Sequence, residues 1–253
     1  MNLNLEKLLL DEILNDNIHG SSYLLEKTVN LLKGKELSVQ LKFAKKIAEK
    51  HKGMAYLVNL KDFIEKEQKG CIEFYKEVRE AQREVLERFL KYSEGLSISA
   101  IATISYSGMV RDALVSLYRK NPFSLFIGES RPANEGVKFA EHLFNSGVKD
   151  ITLMTDACLL SKIDLYDLII LGCDCFTDSF FVNKTGSRAL VLLGKYTNRP
   201  VIVLADRFKK IKEEDIVLKT GEKEEIYKGK HSIKVENPYL ETVYFTDNVV
   251  IFY

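Results

Sequence analysis

Short apolar runs alternate with segments of helical periodicity throughout the second half of the chain. The runs are SISAIATI (97–104), SLFIGES (124–130), DITLMTD (150–156), YDLIILG (166–172) and PVIVLAD (200–206). Helical patterns lie between most of them, over residues 107–120, 134–146 and 185–198. Apolar strands separated by helices predict a parallel sheet that is covered on both faces. Two later runs, HSIKVE (231–236) and NVVIFY (248–253), are predicted to add strands at the edge.

The first ninety-odd residues show helical spacing of their apolar side chains and no strand pattern. The predicted helices cover approximately 3–14, 22–32, 38–50, 56–64 and 72–92. Ser21 or Ser22 is predicted to cap the second helix, and Gly95 to end the last. The sequence therefore predicts an α/β protein with a helical domain over residues 1–95. A Rossmann-like domain with a doubly wound, mostly parallel sheet is predicted over 96–253, with a charged loop over 207–230.

Composition excludes several classes of function. The chain has 37 Lys and Arg against 36 Asp and Glu, a net charge of +1, so no basic excess predicts direct nucleic-acid binding. No apolar run reaches membrane length, and the acidic amphipathic start does not resemble a signal peptide. Four Cys in 253 residues do not form a disulfide scaffold, so we expect a cytoplasmic protein.

No cofactor or metal is expected from the motifs. Cys173 and Cys175 form a C-x-C pair, but no second pair or His cluster completes a metal site. Neither G-x-G-x-x-G nor a Walker loop is present, so the sequence does not support dinucleotide binding or P-loop chemistry.

Polar residues follow most of the predicted strands. They are Ser105, Glu129, Asp156, Asp174 and Asp206. In open α/β sheets, ligands bind outside the carboxyl ends of the strands, so these residues are expected to surround a ligand site.

Three of these strand ends carry residues suited to a phosphorylated ligand. Ser107 opens a helix whose N-terminus can hold a phosphate, although this motif alone favours Ser107 as a simple cap, since Ser is a common capping residue. Arg131, fixed beside Pro132, offers a planar fork for phosphate. Asp174 at a strand end and the pair Asn183-Lys184 can orient a sugar hydroxyl and a phosphate together. The alternative for those three is a loop salt bridge with a helix cap.

Six motifs, in their order along the chain, resemble one superfamily. They are T-I-S-Y-S-x-x-V (103–110), E-S-R-P-x-x-E-G (129–136), T-D-A (155–157), G-x-D (172–174), V-N-K-x-G (182–186) and V-x-N-P-x-x-E-x-V (235–243). The superfamily contains the α, β and δ subunits of translation initiation factor 2B, their archaeal relatives, and two sugar-phosphate isomerases. Those isomerases act on methylthioribose 1-phosphate and ribose 1,5-bisphosphate.

The resemblance implies a ligand site and a question about catalysis. In the isomerases, a Cys after the first α/β strand and the Asp of G-x-D carry out the aldose–ketose conversion. Asp174 matches that Asp, whereas Ser105 stands at the Cys position, and a hydroxyl needs an added base to act. Tyr106 and Ser107 resemble the archaeal initiation-factor branch. His19-Gly20-Ser21 stands where the family has an Arg-Gly-Ala-like phosphate turn.

Three functions follow from the resemblance. The first is non-catalytic, regulatory binding of a sugar phosphate or nucleotide phosphate, with a homodimer or higher homo-oligomer and a translation factor as partners. Its ligand contacts would be His19, Gly20, Ser21, Ser107, Arg131, Asn183 and Lys184, with Asp174 on a hydroxyl and Ser105 at the reacting end. The second is a sugar-1-phosphate isomerase with Asp174 as acid/base and Ser105 in place of the thiol. The third is a structural assembly subunit with a vestigial pocket.

Overall fold

The computed structural model describes residues 3–16 and 20–253, which form two compact units. The first unit holds the described residues up to Arg83 together with 174–177 and 206–217. The second unit holds 84–173, 178–205 and 218–253. The predicted boundary at residue 95 lies just after the fifth helix, whereas the two units divide inside that helix.

The first unit is built from helices. They are α1 (Leu3–Asn15), α2 (Ser21–Leu32), α3 (Leu37–Lys50), α4 (Ala55–Glu67) and the first half of α5 (Cys71–Ser93). The leucines of α2 and the apolar residues of α4 meet in one buried core, where Leu24, Leu57 and Phe74 are at most 1% exposed. Gly20 occupies the N-cap position of α2 with no side-chain bond, so the predicted cap by Ser21 or Ser22 is wrong.

Two segments from the later part of the chain complete the first unit. The hydroxyl of Tyr56 donates to the carboxylate of Asp206, and Gln82 donates to the same carboxylate at 3.4 Å. Asn59 donates to the backbone carbonyl of Phe208 at 2.6 Å. The short strand β5 (Cys175–Phe176) lies in the other of these two segments. The two segments are bonded to each other, because the N–H of Ile211 donates to the carbonyl of Phe176 at 3.1 Å.

The second unit contains a parallel sheet of six strands. Its strands are β1 (Ala100–Thr103), β2 (Ser124–Gly128), β3 (Ile151–Met154), β4 (Leu168–Leu171), β7 (Val201–Leu204) and β9 (Val249–Phe252). Their order is β3-β2-β1-β4-β7-β9, with every neighbouring pair parallel. The helices are α6 (Gly108–Lys120), α7 (Glu135–Asn145), α8 (Asp156–Ser161) and α9 (Ser187–Tyr196). This arrangement confirms the predicted α/β fold. The chain order reverses between β1 and β4, where doubly wound sheets bind ligands.

A further antiparallel pair differs from the sequence prediction. Strand β6 (Phe180–Lys184) pairs with β8 (Leu240–Tyr244), so Asn183 and Lys184 lie on a strand that the apolar runs did not predict. The predicted strand over 231–236 is wrong, because those residues are mostly exposed and have no ladder partner. Periodicity alone does not reveal which alternating segment finds a partner strand.

The described residues offer neither a membrane helix nor a metal cluster. No helix within 3–16 and 20–253 is long and apolar enough to cross a membrane. No group of three His, Cys, Asp or Glu side chains in those ranges is placed to hold a metal ion. None of the four cysteines forms a disulfide, and only Cys158 is partly exposed.

Candidate ligand site

Two strained loop residues lie at the carboxyl ends of β1 and β2. Ser105 and Ser130 have φ angles of 72° and 65°, in the left-handed region that non-glycine residues rarely adopt. The N–H of Ser105 donates to the hydroxyl of the fully buried Ser130 at 2.7 Å. Asp156 accepts from the N–H groups of Ser130 and Arg131, both at 2.8 Å. Such strain persists where surrounding contacts hold it, and it concentrates at functional sites.

Glu135 reaches this loop because α7 begins directly against β2. A Cβ atom on Gly136 would lie 1.9 Å from the carbonyl oxygen of Gly128, so only glycine permits the approach. The neighbouring Glu135 accepts from the Ser105 hydroxyl at 3.3 Å and pairs with the Lys184 ammonium at 2.9 Å, both through Oε1. Its buried Oε2 has no hydrogen-bond partner among the described residues.

Lys184 is a buried cation. Its side chain is 2% exposed, whereas that of Glu135 is 26% exposed. Burying a charge is costly unless it is paired, and Glu135 supplies that pairing. The ammonium also lies 5.1 Å from the centre of the Tyr239 ring, within the range of a cation–π contact.

Arg131 is exposed and contacts the segment that precedes Tyr239. Its Nη2 donates to the backbone carbonyl of Glu225 at 3.0 Å. The Tyr239 hydroxyl donates to the Glu225 carboxylate. Burial and this neighbouring carboxylate raise the pKa of Tyr239 to about 12, so the hydroxyl keeps its proton at neutral pH.

Side chains of the protein itself already occupy two helix starts in this region. The Ser107 hydroxyl accepts from the N–H of Val110 at 3.4 Å and so caps α6. At the start of α9, Glu241 accepts from the N–H groups of Gly186 and Arg188 at 2.7 and 2.9 Å. The helix starts of α6 and α9 are therefore capped internally.

Asn183 is hydrogen-bonded to the first residue of α9. Its amide donates to the Ser187 hydroxyl at 2.9 Å, and it is 4% exposed. Neighbouring strand residues face opposite sides, so Asn183 and Lys184 do not share a face of β6.

Three more predicted site residues belong to the first unit. Gly20 is exposed at the N-cap of α2, and Ser21 is 6% exposed. Asp174 is half-buried. His19 lies outside the described residues.

The structure therefore joins Ser105 to Lys184 through a residue to which the sequence assigned no role. Glu135 stands in the E-S-R-P-x-x-E-G motif, which was the one signal for it. Tyr239 and Glu225 were also missed. Tyr239 falls inside the V-x-N-P-x-x-E-x-V motif at a variable position, and Glu225 lies in a charged loop without pattern.

A six-stranded parallel sheet of this strand order, with helices between its strands, defines a Rossmann-like α/β protein. Within that class, the chain belongs to the initiation factor 2 subunit family, whose sequence model matches residues 7–247. Two archaeal relatives are named for their likeness to translation initiation factor eIF-2B subunit 2. That of Pyrococcus abyssi is 28% identical over 83% of this chain and 82% of its own. That of Pyrococcus horikoshii is 27% identical over the same shares.

Solved structures share the fold. The translation initiation factor eIF-2B of P. horikoshii has a TM-score of 0.79 at 23% identity, covering 96% of this chain and 92% of that one. The 5-methylthioribose 1-phosphate isomerase of the same organism has a TM-score of 0.66 at 18% identity, covering 94% and 80%. A chain of the tetrameric eIF2B-beta2-delta2 complex of C. thermophilum has a TM-score of 0.62 at 14% identity, covering 84% and 79%.

Proposed function

We propose that this protein is a non-catalytic, regulatory member of its family that binds a sugar phosphate or a nucleotide phosphate. The observation that carries the proposal is the Ser105–Glu135–Lys184 group. It places a buried ammonium, a hydroxyl and an unsatisfied carboxylate oxygen at the carboxyl edge of a parallel sheet.

The charged groups of this region suit different parts of such a ligand. The charge of Lys184 is already matched by Glu135, so Lys184 serves a phosphate less well than Arg131 does. Arg131 keeps most of its five N–H donors, since one contact goes to a neutral carbonyl. The free Oε2 of Glu135 is an acceptor for a ligand hydroxyl. A sugar phosphate, which has both kinds of group, is the chemistry these residues support best.

Thermal stabilisation tests the proposal. We expect a sugar phosphate or nucleotide phosphate to raise the melting temperature, since a ligand that binds only the folded state stabilises it. Arg131→Ala and Lys184→Met should remove the shift, while Lys138→Ala, an exposed cation on the same helix as Glu135, should keep it. The panel consists of aldose 1-phosphates, ribose 1,5-bisphosphate and nucleoside monophosphates. If none of these compounds raises the melting temperature, the result would support the structural assembly role instead.

One contact favours the isomerase as a second candidate. The Ser105 hydroxyl donates to a carboxylate at 3.3 Å, and a carboxylate is a base that a lone serine lacks. Turnover of ribose 1,5-bisphosphate or methylthioribose 1-phosphate by the wild type would establish this function and exclude the regulatory one. Activity that appears only in Ser105→Cys would instead support a binding protein on an isomerase-like scaffold. Asp174→Asn tests Asp174 in the same assays.

Assembly and location belong to the same proposal. We propose a homodimer or higher homo-oligomer that works in the cytoplasm beside a translation-factor partner. Support comes from the family and from the similarity to a chain of a tetrameric complex.

A further inference from the structure

The segment 219–239 of the second unit forms a loop that is closed at its base. The N–H of Gly221 donates to the carbonyl of Asn237 at 2.8 Å, and the N–H of Tyr239 donates to the carbonyl of Lys219 at 2.9 Å. Inside the loop, the Asn237 amide donates to the Glu225 carboxylate at 2.7 Å. We call this segment, residues 219–239, the strap.

Tyr239 connects the strap to the two cations of the candidate site. Its ring faces the Lys184 ammonium at 5.1 Å, and its hydroxyl donates to the Glu225 carboxylate. The backbone carbonyl of that same Glu225 accepts from the Arg131 guanidinium at 3.0 Å. One side chain therefore supports Lys184 directly and supports Arg131 through Glu225.

Thr185, the residue that follows β6, bonds to the end of the strap that carries Tyr239. The N–H of Thr185, next to Lys184, donates to the carbonyl of Tyr239 at 3.0 Å. The Thr185 hydroxyl donates to the carbonyl of Pro238 at 2.7 Å. Tyr239 is therefore fixed at its backbone, its ring and its hydroxyl, which is what a residue needs in order to orient others.

We propose that Tyr239 is a positioning residue for ligand binding, and that the strap is a wall of the phosphate end of the site. The proposal rests on the proposed function, since it assumes that Arg131 and Lys184 bind the ligand. The Tyr239 ring keeps the Lys184 ammonium turned toward Glu135. The Tyr239 hydroxyl holds Glu225, whose carbonyl in turn keeps the Arg131 guanidinium in one orientation with its other donors available.

Two substitutions separate the two parts of this role. Tyr239→Phe keeps the ring and removes the hydroxyl, so it should loosen Glu225 and Arg131 and leave Lys184 in place. Tyr239→Leu should loosen both cations. Tyr227→Phe is the matched control, because Tyr227 lies in the same strap and, within 3–16 and 20–253, its hydroxyl has no hydrogen bond except a long one, 3.4 Å, that it accepts from the N–H of His231.

Chemical labelling measures the positions of the cations without any ligand. Phenylglyoxal should modify Arg131 several-fold faster in Tyr239→Phe and Tyr239→Leu than in the wild type. Acetic anhydride should modify Lys184 faster in Tyr239→Leu only. Tyr227→Phe should match the wild type for both residues. Unchanged labelling of both residues in Tyr239→Leu would overturn the proposal.

Titration calorimetry then measures the consequence for binding, with ribose 1,5-bisphosphate and inorganic phosphate as probes. It is run at a temperature where every variant is folded, so that lost stability alone does not change the affinity. Tyr239→Leu should weaken binding about threefold to thirtyfold, the range of a cation–π contact, and Tyr239→Phe should weaken it less. Wild-type affinity in Tyr239→Leu would refute a positioning role. A wild type that binds neither probe would refute the proposed function, while altered labelling would still establish that Tyr239 orients the two cations.

Discussion

Glu135 and Lys184 form an ion pair whose partners differ in their exposure to water. Lys184 is 2% exposed and Glu135 is 26% exposed. Removing one member of a buried pair leaves the other charge uncompensated, and that cost grows with the burial of the remaining charge. The two single substitutions are therefore expected to differ in their effect.

Glu135→Gln should destabilise the protein more than Lys184→Met. The first leaves a buried ammonium without its counter-charge, which we expect to cost about 3–5 kcal/mol. The second leaves an unpaired charge on a side chain that is partly exposed and places an apolar side chain in a buried position, at a cost of about 1–2 kcal/mol. Urea denaturation of both variants measures the difference. The opposite ranking would mean that Glu135 does not compensate the charge of Lys184.

Asp206 predicts a dependence of stability on pH. It is fully buried, and burial raises its pKa above the usual 3.8, although Lys209, the Tyr56 hydroxyl, the Phe208 N–H and the Gln82 amide act in the opposite direction. A group whose pKa is raised on folding binds its proton more tightly in the folded state. Its stabilising contribution is therefore complete below the unfolded pKa and is lost as pH rises through the folded pKa.

Asp206→Asn should remove this loss. As pH rises from just below 3.8 towards neutrality, the unfolding free energy of the wild type should fall relative to that of the variant. The comparison uses slopes of denaturation midpoint against pH, so a constant offset between the proteins does not matter. Parallel slopes would contradict a raised pKa.

At the scale of elements, Gly136 sets how closely α7 approaches β2. A Cβ atom there would lie 1.9 Å from the backbone oxygen of Gly128 and 2.8 Å from the Ser130 hydroxyl oxygen. Backbone cannot move aside as a flexible side chain can, so Gly136→Ala should cost about 3 kcal/mol or more and displace Glu135. Both stability and ligand-induced thermal shift should fall.

Gly108→Ala is the matched control for that prediction. Gly108 is the first residue of α6, as Gly136 is the second residue of α7, but a Cβ atom on Gly108 would meet nothing within 4 Å. Since alanine has the higher helix propensity, this change should be neutral or stabilise by about 0.5–1 kcal/mol. Equal destabilisation by the two alanines would show that α7 does not depend on the close approach.

The elements also show where sequence patterns stop being sufficient. The apolar runs at 97–104, 166–172 and 200–206 all contain buried strands, because few other structures bury such a run between helices. HSIKVE alternates equally well but is no strand, whereas LETVY at 240–244 pairs with β6. A strand requires a partner for its backbone groups, and alternation does not specify the partner.

At the scale of the whole molecule, we expect self-association through the second unit. The outer strands of its sheet, β3 and β9, each pair with one neighbour in the sheet, and exposed strand edges are sites of further pairing or cover. Sedimentation velocity at micromolar concentration should therefore give a mass above the 29.0 kDa of one chain. A single 29.0 kDa species would contradict this prediction.

The sequence by itself determined most of the helices, the six strands of the parallel sheet and the family. Helical and strand periodicities follow from local geometry, and polar residues after buried strands mark the carboxyl edge of a parallel sheet. Motif spacing was enough to identify the family that the comparison of sequences confirms.

Only the tertiary structure decided which distant residues meet. It pairs Glu135 with Lys184, Arg131 with the carbonyl of Glu225, and Tyr56 with Asp206. It also caps α6 with Ser107, the alternative role that the sequence offered for this residue, and it caps α9 with Glu241, for which the sequence contained no signal. Periodicity reports which side of its own element a residue faces. The partner across the fold depends on how whole elements pack, and residues far apart in the chain carry no local signal of that packing.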